Sequence, residues 1–192
     1  MSRVEARTGT GSGVGPMLPA AIALAVGMLL LRIRVITVPD GTRIVLFLAV
    51  FAAILIMSLL IPVARDVARL HPSVVAAVGL VGVGLVTVVA GRPAAAPLGA
   101  SAVPLALLAA VAEEALFRRA AYGWLIRSGP AVAVIGSALL FAAVHVPLYG
   151  AAAFPVDLGA GLLLSWQRWA SGTWTVPAAT HAAANVLAVV LR

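Results

Sequence analysis

The chain of 192 residues contains no cysteine and no lysine, and aromatic residues make up only 6% of it. The absence of cysteine excludes disulfides, a thiolate nucleophile and zinc sites with cysteine ligands. Charged residues account for 10% and hydrophobic residues for 63%, against roughly 25% and 45–50% in soluble domains. So few polar side chains cannot cover a water-facing surface. The composition therefore predicts an integral membrane protein, with length enough for one compact domain.

The net charge of +7 results from 13 arginines and six acidic residues. In a soluble protein, such a basic balance would suggest nucleic-acid binding. Here the arginines lie at the ends of apolar runs, where they can contact anionic headgroups. We therefore expect the lipid bilayer, and not nucleic acid, as the partner of these charges.

The first residues differ in composition from the rest of the chain. Residues 1–16 are rich in glycine, serine and threonine, which predicts a disordered tail. The apolar run that follows resembles the hydrophobic part of a signal peptide. Arg32 and Arg34 come after it, in place of a small-residue cleavage site. We therefore expect a first helix that is retained in the membrane.

The sequence contains seven apolar runs of about 20 residues, which is the length that a membrane-spanning helix needs. They predict an all-α, multi-pass bundle with helices at Met17–Val38, Ile44–Val63, Ser73–Gly91, Ser101–Arg127, Ala131–Leu148, Ala151–Trp169 and Thr173–Leu191. Nearly all polar residues within these runs belong to the last four. The chain is accordingly divided into N-terminal helices at 17–99 and a catalytic core at 100–192, with the site between the fourth, fifth and seventh helices.

The fourth predicted helix carries Glu113, Glu114, Arg118 and Arg119 near its centre. Each charge there costs about 2.5–3.5 kcal/mol on insertion scales, so these side chains must be paired or face a cavity. Glu114 and Arg118 are four residues apart and can pair on one face. Glu113 lies about 100° around the helix, so we expect it to stay free. The alternative is a buried ion-pair cluster that only fixes helix packing.

Two further helices carry polar pairs with the same spacing. Phe141 and His145 are four residues apart in the fifth helix, as are His181 and Asn185 in the seventh. A rise of about 1.5 Å per residue places these groups and Glu113 within one slab of the membrane, which allows a shared site. His71 precedes a proline in a loop and is expected to lie at the interface without a role in the site.

The chemistry that such a site could perform has two versions. A carboxylate and a histidine that converge on one water form a general base, while a second histidine and an asparagine can stabilise an oxyanion. Two histidines and one glutamate could equally bind a catalytic Zn²⁺ with an open fourth position. The residue types alone leave both versions open.

Other intramembrane protease designs do not match. The chain contains no His-Glu-x-x-His helix. It also lacks the Gly-x-Ser-Gly segment of rhomboids and the helix-centred aspartate pair of presenilin-type enzymes; Asp157 is the one aspartate within a predicted helix.

Three motifs in order resemble those of the CPBP family, the CAAX protease and bacteriocin-processing group also called Abi proteins. The family motifs Glu-Glu-x-x-x-Arg, Phe-x-x-x-His and His-x-x-x-Asn are met by Glu113–Arg118, Phe141–His145 and His181–Asn185. The resemblance covers roughly 109–189. Arg119 departs from the glycine of many relatives, and we expect it to tighten the end of the motif-one helix.

The resemblance implies an intramembrane endopeptidase with defined roles for the motif residues. Glu113 would be the general base and His145 would help position the water. His181 and Asn185 would stabilise the oxyanion. This assignment agrees with the expectation that Glu113 is unpaired.

The remaining motif residues would support the site, with Glu114 and Arg118 holding it and Phe141 packing. Some relatives are described as metalloproteases. The resemblance therefore also allows Zn²⁺ or another divalent metal, held by Glu113, His145 and His181.

Three hypotheses of function follow. The first is an endopeptidase that acts on a membrane-associated peptide or protein. The second is a non-catalytic scaffold or bacteriocin-immunity protein that uses the same fold. The third is a proton-coupled transporter, which the lack of a visible internal repeat disfavours. The lysine-free composition, rich in alanine, valine, glycine and arginine, suggests a bacterial protein in the cell membrane.

Overall fold

The computed structural model describes residues 17–35, 40–63, 67–90 and 102–190. All regular structure in these ranges is helical, so the predicted all-α bundle is confirmed. The α-helices are α1 (Met17–Val35), α2 (Asp40–Leu60), α3 (Pro72–Ala90), α4 (Ala102–Glu114), α5 (Tyr122–Leu125), α6 (Pro130–Tyr149), α7 (Phe154–Ser171) and α8 (Thr175–Val190). A π-helical stretch, Ala115–Ala121, joins α4 to α5, and 3-10 turns lie at Ile126–Ser128 and Ala151–Ala153.

The seven predicted helices correspond to seven helical segments in the described ranges. The fourth segment runs from Ala102 to Ser128 and includes α4, the π-helical stretch, α5 and the 3-10 turn that follows it. α2 begins at Asp40, earlier than predicted. The predicted tail at 1–16 lies outside the described residues, as do the predicted ends of the first, third and seventh helices. The division at residue 100 stays a prediction.

The outside of the bundle is apolar. Among the residues that the structure describes, two helices are long and apolar enough to cross a membrane, Gly41–Leu60 and Pro130–Tyr149. Large side chains such as Val45, Leu60 and Val81 are more than half exposed there. Contiguous apolar surface of this kind is unfavourable in water but suits contact with lipid.

The buried core brings the N-terminal helices against the fourth segment. Leu29 of α1, Ile54 of α2, Phe117 and Phe141 belong to one buried cluster. α7 approaches α6 closely, since a Cβ at Gly161 would lie 3.0 Å from the carbonyl oxygen of Ala138. The polar residues of α4, α6 and α8 are therefore surrounded by helices from both halves of the chain.

The π-helical stretch occupies the part of the fourth segment that carries Arg118 and Arg119. Glu113 and Glu114 end α4, whereas Arg118 and Arg119 lie in the π-helical stretch. A π-helix is wider than an α-helix, and single π turns occur often at functional sites. Arg168 of α7 donates from Nε to the main-chain carbonyl of Arg118 at 3.1 Å. The helix predicted at Ser101–Arg127 is therefore present in the described residues, but the sequence analysis did not anticipate its π-helical part.

Candidate active site

Glu114 and Arg118 form the predicted pair. Both side chains are fully buried, and Nη1 of Arg118 lies 2.9 Å from Oε1 of Glu114. The same oxygen accepts a hydrogen bond from Nδ1 of His181, also at 2.9 Å. Arg118 donates from Nη2 to the carbonyl of Gly161 at 3.1 Å. This carboxylate and its arginine thus tie the fourth segment to α7 and α8.

Glu113 is not free, contrary to the prediction. Nη1 of Arg32 lies 2.6 Å from its Oε1, and both residues are buried, with exposed fractions of 7% for Arg32 and 3% for Glu113. Arg32 was expected at the membrane surface near headgroups, and so was Arg168, which is also buried. The spacing within one helix showed correctly that Glu113 points away from Arg118. It carried no information about a partner on another helix.

A signal for Arg32 exists in the sequence. Two adjacent carboxylates lie at the centre of an apolar helix, and only one of them has an arginine four residues away. Buried charges need partners, so the second carboxylate requires a cation from elsewhere. The arginines that end the first predicted helix are candidates for that cation.

His145 faces the second oxygen of Glu113. Nδ1 of His145 lies 2.7 Å from the main-chain carbonyl of Phe141 and must donate to it, because a carbonyl only accepts. Nε2 therefore carries a lone pair in the neutral ring, and it lies 3.8 Å from Oε2 of Glu113. That separation is too long for a direct hydrogen bond and is compatible with a shared water.

His181 and Asn185 contact different partners. His181 donates to Glu114, whereas Nδ2 of Asn185 donates to the main-chain carbonyl of Ala106 at 3.2 Å. The ring of Phe141 lies between the two histidines, with centroid distances of 4.4 Å to His145 and 5.8 Å to His181. The structure thus brings Glu113 together with His145, and Glu114 with His181. It places Asn185 against the backbone of α4.

Asp157 is a functional candidate that the sequence analysis did not select. It lies in the first turn of α7 and interacts electrostatically with His145 and Glu113. Its Oδ2 is buried without a hydrogen-bond partner among the described residues. The only sequence signal was that Asp157 is an acidic residue within an otherwise apolar helix.

The set predicted for a metal does not fit a divalent ion. Arg32 places a cationic nitrogen at 2.6 Å from the Glu113 carboxylate, and His181 is directed at Glu114 instead of Glu113. Among the residues that the structure describes, no three His, Asp or Glu side chains are grouped closely enough to hold an ion.

A comparison with protein families identifies the segment that carries the motifs. Residues 95–187 match the family model described as type II CAAX prenyl endopeptidase Rce1-like. The matched segment contains all three motifs, from Glu113 to Asn185, whereas Arg32 lies outside it. No curated protein and no solved structure matches the chain. The match supports the general activity of a membrane-embedded CAAX-type endopeptidase.

Proposed function

We propose that this protein hydrolyses a peptide bond in a membrane-associated peptide or protein by means of an activated water, because its residues 95–187 match the family model described as type II CAAX prenyl endopeptidase Rce1-like. The observation that carries the proposal is the position of Glu113 Oε2, which faces Nε2 of His145 at 3.8 Å. Two acceptor atoms of this kind can share one water, which donates a hydrogen to each.

The bound water is a nucleophile in this arrangement. Its hydrogens point to Glu113 and His145, so its lone pairs are directed toward the substrate carbonyl. Glu113 accepts a proton as the water oxygen bonds to the carbonyl carbon. The carbon–nitrogen bond then breaks, and the same proton passes from Glu113 to the leaving amine. The products are a carboxylic acid, which then releases its remaining proton to the surrounding water, and a free amine.

The oxyanion formed during attack requires donors, and α8 supplies two candidates. Asn185 uses one hydrogen of its amide for Ala106, and the second is available. His181 donates from Nδ1 to Glu114, so it can also donate from Nε2 only when both ring nitrogens carry hydrogen. This constraint makes Asn185 the more readily available donor in the described arrangement. Removal of one oxyanion donor typically lowers kcat by roughly 10²–10³.

The proposed location is the cell membrane, which the chain crosses several times. Support comes from the exposed apolar side chains of α2 and α3, together with the apolar lengths of α2 and α6. The buried site lies among these helices, so its substrate must approach through the bilayer or from its interface. A membrane-associated peptide or protein fits that approach.

The experiment compares protein termini in membranes of cells that produce either the wild type or Glu113→Gln. We expect shortened products with the wild type and accumulated precursors with the variant, since an amide cannot act as the base. Identical termini in both membranes would contradict the proposal.

A direct assay follows cleavage of a farnesylated CAAX peptide in lipid vesicles. His145→Gln is expected to be inactive, whereas His71→Gln is the matched control because His71 is an exposed loop residue that bonds to Ser73 at the start of α3. Equal loss of activity in the two variants would argue against a specific role of His145.

A further inference from the structure

Each of the two adjacent carboxylates has its own arginine. Arg118, from the same helical segment, pairs with Glu114, and Arg32, from α1, pairs with Glu113. Arg32 lies outside the segment 95–187 that matches the family model. The N-terminal part of the chain therefore contributes a charged group to a site whose motifs all lie in the second half.

The packing of α1 fixes the place of Arg32. Ile22, Ala25 and Leu29 are buried, and their spacing of three and four residues continues to Arg32 along one face of the helix. The next arginine on α1, Arg34, points elsewhere and is exposed. The apolar face of α1 thus presents one arginine to the interior and leaves the other outside.

The contacts of Arg32 are few for a buried guanidinium. Its Nε and Nη2 are buried without hydrogen-bond partners among the described residues, and Nη1 bonds to Glu113. A single bond compensates poorly for removing a cation from water, and well-packed apolar residues often stabilise a protein as much as a buried ion pair. Stability alone therefore gives little reason for an arginine at this position.

The different contacts of the two Glu113 carboxylate oxygens give a better reason for an arginine at position 32. Oε1 is held by Arg32 at 2.6 Å, and Oε2 faces His145 at 3.8 Å. A carboxylate held at one oxygen has a fixed plane, so its other oxygen keeps one direction. Without that contact, the side chain of Glu113 could rotate away from His145.

We propose that Arg32 is a positioning residue for the reaction, which holds Glu113 so that its second oxygen and His145 bind the attacking water between them. This inference rests on the proposed function. It makes α1 a part of the catalytic unit and not only a membrane anchor.

The test measures kcat, KM and thermal stability for the full chain in phosphatidylcholine–phosphatidylglycerol vesicles, with the farnesylated CAAX peptide as substrate. In Arg32→Gln we expect kcat to fall about 100-fold with KM unchanged, because misplacement of a catalytic group by about 1 Å costs that much. Arg34→Gln removes the same charge from the same turn and is expected to have wild-type kcat.

Arg32→Lys separates positioning from stability. Lysine keeps the charge, so the variant should be as heat-stable as the wild type. Its ammonium is a point charge without the planar fork of arginine, so kcat should still fall about tenfold. A purely structural role predicts that stability and kcat recover together.

The outcomes distinguish this inference from the proposed function. A heat-stable Arg32→Lys variant with wild-type kcat would overturn the inference, as would loss of folded protein in both Arg32 variants or a rise in kcat. Equal termini and equal peptide cleavage for wild type and Glu113→Gln would instead overturn the proposed function.

Discussion

The guanidinium carbon of Arg118 lies 4.5 Å from the centroid of the Phe141 ring. This contact joins the first motif to the second, and it covers a buried cation with an aromatic face, an arrangement that is favourable by about 0.5–2 kcal/mol. The same ring contacts His145 at 4.4 Å and meets Phe117 edge-on at 5.5 Å. Phe141 therefore packs both the structural pair and the histidine of the site.

Arg118→Ala is expected to destabilise the protein. The substitution leaves Glu114 as a buried charge with its histidine contact alone, and breaking a buried pair costs about 3–5 kcal/mol. Folded yield and unfolding temperature in detergent should both fall, together with activity.

The double variant Glu114→Gln/Arg118→Met is the matched control. It removes both charges while keeping similar volumes, and the glutamine oxygen can still accept from His181. We expect it to recover much of the lost stability. An Arg118→Ala variant as stable as the wild type would show that the pair does not support the fold.

The contacts made within one helical segment could be predicted from the sequence. The spacing of Glu114 and Arg118 indicated their pairing, and it placed Glu113 on another face. The Glu113–Arg32 contact joins residues 81 positions apart and depends on how α1 packs against α4. Hydrophobic spacing specifies which face of a helix is buried but not the neighbour it meets, so this contact was missed.

Arg119 illustrates a second limit. It was expected to tighten the end of the motif-one helix, but it donates to the carbonyls of Ser58 and Ile61 at the C-terminal end of α2. The last carbonyls of a helix lack intrahelical hydrogen-bond donors, and an arginine side chain can donate to these carbonyls. The π-helical geometry around Arg119 likewise could not be inferred from a periodicity that assumes 3.6 residues per turn.

Arg119→Leu is therefore expected to lower stability without abolishing the site. Loss of hydrogen bonds from a charged donor to the two carbonyls should cost about 1.5–3 kcal/mol. The measurement is the unfolding temperature, with Arg127→Leu as control because Arg127 is exposed on the same segment. Equal unfolding temperatures for the two variants would refute the capping role.

Gly79→Ala is expected to disturb the packing of α3 against α7 and α8. Gln167 is buried and donates from Nε2 to the carbonyl of Val75 and to Oγ1 of Thr180, each at 2.9 Å. A Cβ at Gly79 would overlap that amide nitrogen and lie 2.8 Å from Oγ1 of Thr180. Overpacking of this kind typically costs about 1–3 kcal/mol.

Gly84→Ala provides the matched comparison on the same helix. A Cβ at Gly84 has no atom within 4 Å, so the change should be neutral or stabilise by about 0.5–1 kcal/mol. The two variants are compared by thermal unfolding in detergent. Similar unfolding temperatures would show that Gln167 can move aside at little cost.

The final prediction concerns the metal. We predict that purified active protein contains substoichiometric zinc and keeps its activity after treatment with a chelator. The reason is the donor chemistry of the site: Arg32 places a cation against Glu113, and His181 is directed at Glu114 and not at Glu113. A divalent ion at Glu113 would have to displace the guanidinium.

The measurement is the zinc content and the activity of the purified protein before and after chelation. The His145→Gln variant is taken through the same steps, so that zinc bound at the site can be distinguished from zinc bound elsewhere. One equivalent of zinc in the wild type but not in His145→Gln, with activity lost on removal and restored on addition, would show that a metal activates the water.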